Sequence, residues 1–241
     1  MLARLAGEIP RFFTLQKLAL LLEAMGTTLA MTIIGCVLGF LLAFTIVFLR
    51  QTPGRLALPI RLVAILYVEI FRRIPFLVVT YLVLFFIQIF ASDASLFAIA
   101  VVAICIYSTA YTAEIIRGGF ESVARQQIEA AAAMNFSRWQ TLKGVIIPQS
   151  WPVILPPAVA FAVGFIKDTA LVSQVGVFEL TFRGKELNNE GFSGILVFGT
   201  IAFLYFAMSY PLSRWGRWLE QRLASSPSKR PQQRLRPPHG P

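Results

Sequence analysis

The chain has 241 residues, of which 56% are hydrophobic and only 14% are charged, and its formal net charge is +10. About a quarter of the residues in a water-soluble domain are charged, so this composition excludes an ordinary soluble enzyme. The charged residues leave five long gaps, and uncharged runs cover 24–49, 74–92, 94–113, 144–166 and 191–213. Because about 20 apolar residues cross a bilayer as a helix, the sequence predicts an all-α, polytopic membrane protein with five transmembrane helices.

The positive charges predict the orientation of these helices. With the N-terminus outside, the inside segments are 50–55, 117–143 and 214–241, and they carry 13 Lys or Arg against 5 in the outside segments. Lys and Arg concentrate in cytoplasmic loops, so we expect the N-terminus outside and the C-terminus in the cytoplasm. Residues 1–23 are then a periplasmic or interfacial segment, and 224–241 form a basic, proline-rich tail that we expect to be disordered. No aromatic residue accompanies the charges of this tail, so we expect no binding of nucleic acid.

The first uncharged run and the segment that follows it each contain a pattern that predicts local structure. Gly35 and Gly39 have the four-residue spacing that lets two membrane helices approach closely, although chance glycines explain the pair equally well. Between Pro59 and Arg73 the charged residues fall on one stripe of an otherwise apolar helix. This stripe indicates a helix at the cytoplasmic interface that enters the bilayer near Pro75.

The fourth run is rich in proline and is followed by two adjacent charges. Four prolines lie between 148 and 157, so we expect an irregular start and a regular helix only after Pro157. Lys167 and Asp168 then lie within one long helix. Ionisable groups at membrane depth are costly and usually line a cavity or face another helix. The pair is therefore either a ligand site or a structural ion pair.

The hydrophilic segment 122–143 predicts a helical hairpin on the cytoplasmic side. Residues 123–134 are strong helix formers, and Asn135 can adopt the left-handed conformation that ends a helix. Ser137, with Gln140 three positions on, forms a capping box that opens a second helix. Such a hairpin is more than a connector between two spans requires, so it indicates docking of a partner protein.

The same segment resembles the EAA loop of the permease subunits of binding-protein-dependent ABC importers. The residues that carry this resemblance are Glu129-Ala130-Ala131, Asn135 and Val145-Ile146-Ile147-Pro148, with Asn135 in place of the family's glycine. Four further segments resemble the polar-amino-acid branch of that family, the histidine, arginine, glutamine and glutamate permeases. They are Tyr67–Pro75, Ala113–Gly119, Ser137–Thr141 and Lys167–Val172. The resemblance covers roughly residues 20–223 and implies the type I ABC importer permease fold in the inner membrane.

The resemblance also implies partners and site residues. The hairpin would dock on a separate ABC ATPase dimer that holds ATP and Mg²⁺. The implied coupling residues are Glu129, Ala130, Ala131, Asn135, Ser137 and Arg138. A second permease chain, identical or different, would complete the path, and a periplasmic or lipid-anchored binding protein would deliver the solute. The candidate substrate-binding residues are Asp168, Lys167, Thr169, Ser173, Arg72 and Glu69.

The chemistry of an amino acid suits the adjacent charges. Asp168 would meet the ligand ammonium, and Lys167 would be either a ligand or a counter-ion. Thr169 and Ser173 are expected on the same face as these charges, as secondary candidates. Neighbouring helix positions point about 100° apart, so each charge can equally pair with another helix.

Other charged residues near the spans have simpler explanations, and departures from the family leave the substrate open. Glu69 lies three and four positions before Arg72 and Arg73, a spacing that is typical of an intrahelical ion pair. Glu114 and Arg117 have the same kind of spacing. Arg73-Ile74 stands where the family has Gly-Thr, and Ala170 stands in place of Ser. These changes add a positive charge and remove two hydroxyls. A compatible solute or an opine-like amino acid derivative therefore stays an alternative substrate.

Two other classes of protein, a membrane enzyme and a ligand-gated channel, fit the sequence less well than a permease. The chain has no G-x4-G-K-[ST] phosphate loop, so we expect no ATPase site in it and no cofactor of its own. His239 is its single histidine, and neither an acid-base nor a metal constellation is visible, which argues against a membrane enzyme. A ligand-gated channel would explain the spans but gives no reason for a capped cytoplasmic hairpin.

Overall fold

All regular structure is helical in the part of the chain that the computed structural model describes, residues 2–224, with side chains from Gly7 to Leu223. The helices are α1 (Leu2–Phe12), α2 (Leu15–Gln51), α3 (Leu58–Phe71), α4 (Phe76–Phe90), α5 (Leu96–Glu121), α6 (Arg125–Ala133), α7 (Arg138–Thr141), α8 (Ile147–Asp168), α9 (Leu180–Asn189) and α10 (Gly194–Ala224). A π-helical turn, Leu142–Ile146, joins α7 to α8, and a 3₁₀ helix, Thr169–Val175, follows α8. The predicted disordered tail, apart from Ala224, lies outside the described residues.

The predicted membrane spans are present in this helical array. Four continuous helical segments are long and apolar enough to cross a membrane: α2, α5, the joined stretch Arg138–Val175, and α10. The fifth span is a bent one, because α3 and α4 meet at an angle of 118°. Their corner lies at residues 72–75, where the sequence predicted entry into the bilayer. The all-α, five-span prediction is confirmed when α3 and α4 count as one span.

The centre of the bundle is the close contact between α2 and α5, and two glycines make it possible. A Cβ added to Gly35 would lie 2.4 Å from Cγ2 of Ile104, and one added to Gly39 would lie 1.9 Å from Oγ of Ser108. The Ser108 hydroxyl donates a hydrogen bond to the carbonyl of Gly35 (3.0 Å), which fixes the register of the two helices. Small residues let backbones approach in a bilayer, where packing rather than hydrophobicity holds helices together. The paired glycines therefore serve helix packing.

The proline-rich start of the fourth span is more regular than predicted. α8 is helical from Ile147 and runs through Pro152, Pro156 and Pro157, so the expectation of an irregular segment up to Pro157 was wrong. Pro148, Pro152 and Pro156 are spaced by four, which places their missing N–H groups on one face of the helix. The hydrogen bonds on the other faces keep the helix intact. A π-helical turn lies just before the prolines.

The first span begins at Leu15, well before its uncharged run, and a capping residue and an ion pair stabilise its first turn. Thr14 caps α2, its side chain accepting a hydrogen bond from the backbone N–H of Lys17. The Lys17 ammonium forms an ion pair with Glu190 (2.8 Å) and lies 3.8 Å from the ring centroid of Phe192. α2 therefore starts within the segment that the sequence assigned to the membrane surface.

A buried carboxylate joins three helices at the same end of the bundle. Glu179 is fully buried at the N-terminus of α9 and accepts a hydrogen bond from the backbone N–H of Phe182 (2.8 Å). The Tyr205 hydroxyl of α10 donates to its other oxygen (2.8 Å), and the Thr28 hydroxyl of α2 lies 3.5 Å from that oxygen. Burial raises the pKa of the Glu179 carboxyl above its ordinary value, and these hydrogen bonds offset only part of the rise.

We expect Gly39→Ala to destabilise the protein by about 1–3 kcal/mol, because the new Cβ forces α2 and α5 apart. The measurement is the thermal unfolding midpoint of the purified protein in detergent. Gly26→Ala is the matched control on the same helix, since nothing lies within 4 Å of its added Cβ. The control should be neutral or slightly stabilising, as alanine favours a helix more than glycine. Equal midpoints for the two variants would contradict the packing role of Gly39.

We expect Glu179 to make the protein less stable as the pH rises above the ordinary glutamate pKa of about 4.3. With a raised pKa in the folded state, the native protein holds the proton longer than the unfolded chain, so stability falls with pH until the folded pKa is passed. Glu179→Gln should flatten this part of the profile of unfolding midpoint against pH. Glu220→Gln, which changes an exposed acid of α10, should leave the profile as it is. Identical profiles for all three proteins would refute the assignment.

Candidate functional site

The segment 122–143 forms the hairpin that the sequence predicts. α6 ends before Asn135, which has a left-handed backbone with φ of 57°, and the N–H of Phe136 donates to the carbonyl of Ala131 (3.0 Å). Ser137 and Gln140 form both bonds of the capping box. The second arm is not a separate helix, however, because α7 continues through the π-helical turn into α8. A displacement of the hairpin can therefore be transmitted directly to the fourth span.

Most of the predicted coupling residues lie on the surface of this hairpin. The exposed ones are Glu129, Ala130, Asn135, Ser137 and Arg138, whereas Ala131 is buried. The Glu129 carboxylate forms an ion pair with Arg125 one turn earlier (2.9 Å). Ala131 therefore packs the hairpin, and the other five form its surface.

Three apolar side chains on the hairpin surface escaped the sequence reasoning. Met134 and Trp139 are each 61% exposed and Phe136 is 40% exposed, all within a few residues of the turn. A group of exposed apolar residues rimmed by polar ones is typical of a protein–protein contact. The signal in the sequence was the pair of aromatic residues inside a hydrophilic loop.

A second feature is a strip of aromatic rings between α5 and α8, formed by Tyr107, Tyr111, Phe161 and Phe165. The rings of Tyr111 and Phe161 stack with centroids 5.4 Å apart, and those of Tyr107 and Phe165 lie 5.7 Å apart. The Tyr107 hydroxyl donates to that of Tyr111 (3.2 Å), which aligns the two tyrosines along α5. We call these four residues the aromatic strip.

A cationic side chain lies at one end of the aromatic strip. The Arg72 guanidinium is 5.7 Å from the ring centroid of Tyr111, and the Tyr111 hydroxyl donates to the carbonyl of Arg72 (3.2 Å). Arg73 behaves differently, because it is exposed and its guanidinium is held by Glu69 at 3.1 and 2.6 Å. Of the two adjacent arginines, Arg72 is thus the one at the strip, while Glu69 is engaged in the intrahelical type of pair that its spacing indicated.

The adjacent charges of the fourth span, Lys167 and Asp168, lie at the other end of the aromatic strip. Asp168 and Lys167 are both exposed, and Asp168 comes three positions after Phe165, whose ring centroid lies 5.7 Å from that of Tyr107. Thr169 and Ser173 are buried, so the expectation that they share a face with the charges was wrong. The two charges do lie within one long helical stretch, Arg138–Val175, although its α-helical part ends at Asp168 and a 3₁₀ helix follows. The hydroxyls of both buried residues donate to carbonyls three positions earlier, which suits the tighter 3₁₀ helix.

The aromatic strip itself was missed from the sequence. Tyr107 with Tyr111, and Phe161 with Phe165, have the four-residue spacing that places two side chains on one helix face. That spacing was visible, but aromatic residues at helical spacing in an apolar run are equally typical of a core. In the structure the packing of α5 against α8 brings the four rings together; Phe165 is buried in the core, and the other three rings are partly buried.

Comparison with known proteins identifies the family. Residues 35–225 match the family described as the binding-protein-dependent transport system inner membrane component, and the chain belongs to this family. The glutamine transport system permease protein GlnP of Escherichia coli (strain K12) is 33% identical over 206 residues, which cover 85% of this chain and 93% of that protein. The L-cystine transport system permease protein TcyB of Bacillus subtilis (strain 168) is 32% identical over 197 residues, covering 81% of this chain and 83% of that protein.

A solved structure has the same architecture. A crystal structure described as an amino acid ABC transporter with histidines superposes with a TM-score of 0.78 and 29% identity, covering 86% of this chain and 95% of that chain. The protein is therefore a multi-pass, inner-membrane permease subunit with the type I ABC importer fold. Permease subunits of this family lack an ATPase site of their own.

We expect Glu129→Lys to impair transport by at least about fivefold, the lower range of a typical coupling effect, while the protein still inserts and folds. The substitution places a second cation one turn from Arg125 and removes the carboxylate that pairs with it. Solute uptake by the reconstituted transporter is the measurement. Gln126→Lys adds a charge to an exposed position of the same helix without touching the ion pair, and it should have little effect. Wild-type uptake by Glu129→Lys would exclude a coupling role for this residue.

Proposed function

We propose that this permease carries polar amino acids into the cytoplasm, driven by ATP hydrolysis on a separate subunit. The single observation that carries the substrate class is the aromatic strip with a cation at one end and an anion at the other. The ligands named for the similar proteins, glutamine, L-cystine and histidine, are amino acids and agree with it. The protein would thus belong to the amino-acid branch of its family.

The two ends of the aromatic strip suit the two charges of an amino acid. The guanidinium of Arg72 offers paired N–H donors of the geometry that a carboxylate accepts. The carboxylate of Asp168 would accept the ammonium group, and the tyrosine and phenylalanine rings between them would replace water around the carbon chain of the ligand. Tyr111 and Tyr107 lie one helical turn apart, about 6 Å along α5, so the strip is of the right scale for such a ligand.

The other candidate residues take supporting roles in this proposal. Lys167 would bind the ligand directly or balance the charge of Asp168. Thr169 and Ser173, which are buried, would hold the 3₁₀ segment that follows Asp168 and so fix its position. Glu69 would act through Arg73, with which it is paired, at the edge of the path.

The complex would contain several further subunits. An ABC ATPase dimer with ATP and Mg²⁺ would receive the hairpin, whose exposed Met134, Phe136 and Trp139 offer an apolar contact surface. A second permease chain would close the path, since Asp168 and Lys167 are exposed in the single chain. A periplasmic or lipid-anchored binding protein would deliver the solute at the outer ends of the helices. The excess of Lys and Arg at the hairpin ends supports an outside N-terminus and a cytoplasmic C-terminus, with lipid around the bundle.

The test of this function is uptake by the reconstituted complex. We expect Asp168→Asn to lower the uptake of L-[³H]glutamine, L-[³H]histidine or L-[³⁵S]cystine by at least about tenfold, equivalent to about 1.4 kcal/mol. The reason is that an ammonium leaving water needs an anionic partner, and an amide of the same size provides no charge. The permease, its ATPase and its binding protein are reconstituted together in ATP-loaded vesicles, and initial uptake rates are compared.

The control is the same chemical change at a distant acid. Asp93→Asn alters an exposed residue in the loop between α4 and α5 and should leave uptake near the wild-type rate. Co-purification of the ATPase with each variant reports assembly. Loss of assembly in Asp168→Asn would make this residue a structural partner of another helix. Unchanged uptake would remove it from the site, and transport of glycine betaine in preference to the amino acids would refute the substrate class.

A further inference from the structure

One carboxylate near the predicted cytoplasmic ends of the spans is surrounded by three arginines. Glu114 of α5 lies 3.3 Å from Nη1 of Arg50, at the end of α2, and 3.7 Å from Nη1 of Arg72, at the corner between α3 and α4. On its own helix it accepts a hydrogen bond from Nε of Arg117 (3.0 Å), and Arg117 also pairs with Glu121. The Glu114 side chain is 23% exposed, so these attractions are only partly screened by water. The cluster ties together three elements that are far apart in sequence.

The charges in this cluster do not balance, and Arg72 holds the surplus. Three guanidinium groups face the two carboxylates of Glu114 and Glu121, which leaves one positive charge. Arg72 is the most loosely held of the three, because its distance to Glu114 exceeds that of a hydrogen bond. Its Nε is buried and has no hydrogen-bond partner among the described residues. A buried donor without an acceptor is costly, so Arg72 is poised for a second anion.

The position of Glu114 links Arg72 to the hairpin. α5 ends at Glu121, and only residues 122–124 separate it from α6. The last turns of α5 also pack tightly on α8, since a Cβ on Gly119 would lie 2.2 Å from Cγ1 of Ile154. A change in the ion pairs of Glu114 can therefore affect both α5 and α8, the two helices that flank the hairpin in the sequence.

We propose that Glu114 is a positioning residue, and that Arg72 exchanges its contact with Glu114 for the carboxylate of an amino acid that reaches its guanidinium. This inference rests on the proposed function. The incoming carboxylate takes the guanidinium of Arg72, including its buried Nε, and Glu114 is left to Arg50 and Arg117. Its attraction then pulls α5 toward the end of α2, and the shift passes through residues 122–124 into α6. Binding of the ligand thereby displaces the hairpin surface that contacts the ATPase.

Neighbouring acids do not have this arrangement. Glu69 is held by Arg73 alone at the exposed edge of the α3 corner, and Glu121 is in contact with Arg117 alone among the arginines of the cluster. Glu114 is the one acid of the described chain that contacts arginines of α2, α5 and the α3–α4 corner together. Glu114 can therefore lose its contact with Arg72 and still pair with arginines of two other elements. Glu69 and Glu121 do not have this possibility.

The experiment separates ligand binding from coupling. The complete complex, with its ATPase and binding protein, is purified with wild-type permease, Glu114→Gln or Arg72→Gln. Two quantities are measured: binding of L-[³H]glutamine to the permease–ATPase complex, and the increase in ATP hydrolysis when L-glutamine and the binding protein are added. Glu121→Gln is the matched control, since it removes an acid that also pairs with Arg117 but does not contact Arg50 or Arg72.

We expect Glu114→Gln to bind L-glutamine as tightly as the wild type or more tightly, because no side-chain carboxylate competes for Arg72. Its ligand-dependent increase in ATP hydrolysis should fall at least about fivefold, the lower end of typical coupling effects. Arg72→Gln should lose binding and stimulation together, and Glu121→Gln should resemble the wild type. Glu114→Asp, which keeps the charge on a shorter side chain, should recover part of the stimulation.

Other outcomes overturn the inference. If Glu114→Gln loses ligand binding in parallel with stimulation, Glu114 merely holds Arg72 in place. If the variant fails to assemble with the ATPase, its role is structural, and full stimulation in it excludes the exchange of partners. Failure of the wild-type complex to import L-glutamine, L-histidine or L-cystine would instead contradict the proposed function, and with it this inference.

Discussion

The close contact of α2 with α5 is the packing on which the other features of the structure depend. Gly35 and Gly39 allow the two backbones to meet, and the hydrogen bond from Ser108 sets their register. In a bilayer the lipid is as apolar as the side chains, so close packing and internal hydrogen bonds have to hold the helices together. With α5 fixed in this way, its tyrosines face α8, and Glu114 comes within reach of Arg50.

The polar groups of this protein are placed according to the same constraint. Thr28 and Thr32 donate to carbonyls of their own helix, so these two buried hydroxyls of α2 are paired. Charged side chains gather near the ends of the spans, at Glu179 on one side and around Glu114 on the other. A carboxylate removed from water is tolerated when several donors surround it, as at both of these sites. Arg72 departs from this pattern, and the departure coincides with the proposed path.

Two continuous stretches of backbone connect the proposed ligand site to the hairpin. α5 passes from the aromatic strip through Glu114 to the hairpin within one helix and a three-residue connection. α7 passes from the hairpin through the π-helical turn into α8, which carries Phe161, Phe165 and Asp168. The proposed ligand site and the proposed ATPase contact therefore share both helices. In the proposed mechanism, a movement of the hairpin and a rearrangement of the site are coupled in either direction through these helices.

The sequence alone determined the features that depend on local pattern: the five spans, the corner before Pro75 and the hairpin with its turn at Asn135. Run length, proline and capping residues act over a few positions, so one chain read in order is sufficient. Tertiary structure decided which of two adjacent arginines faces the strip, that Thr169 and Ser173 are buried, and which arginines Glu114 meets. Glu114 and Arg50 are 64 positions apart. Contacts of this kind depend on the relative rotation and depth of whole helices, which no local pattern encodes.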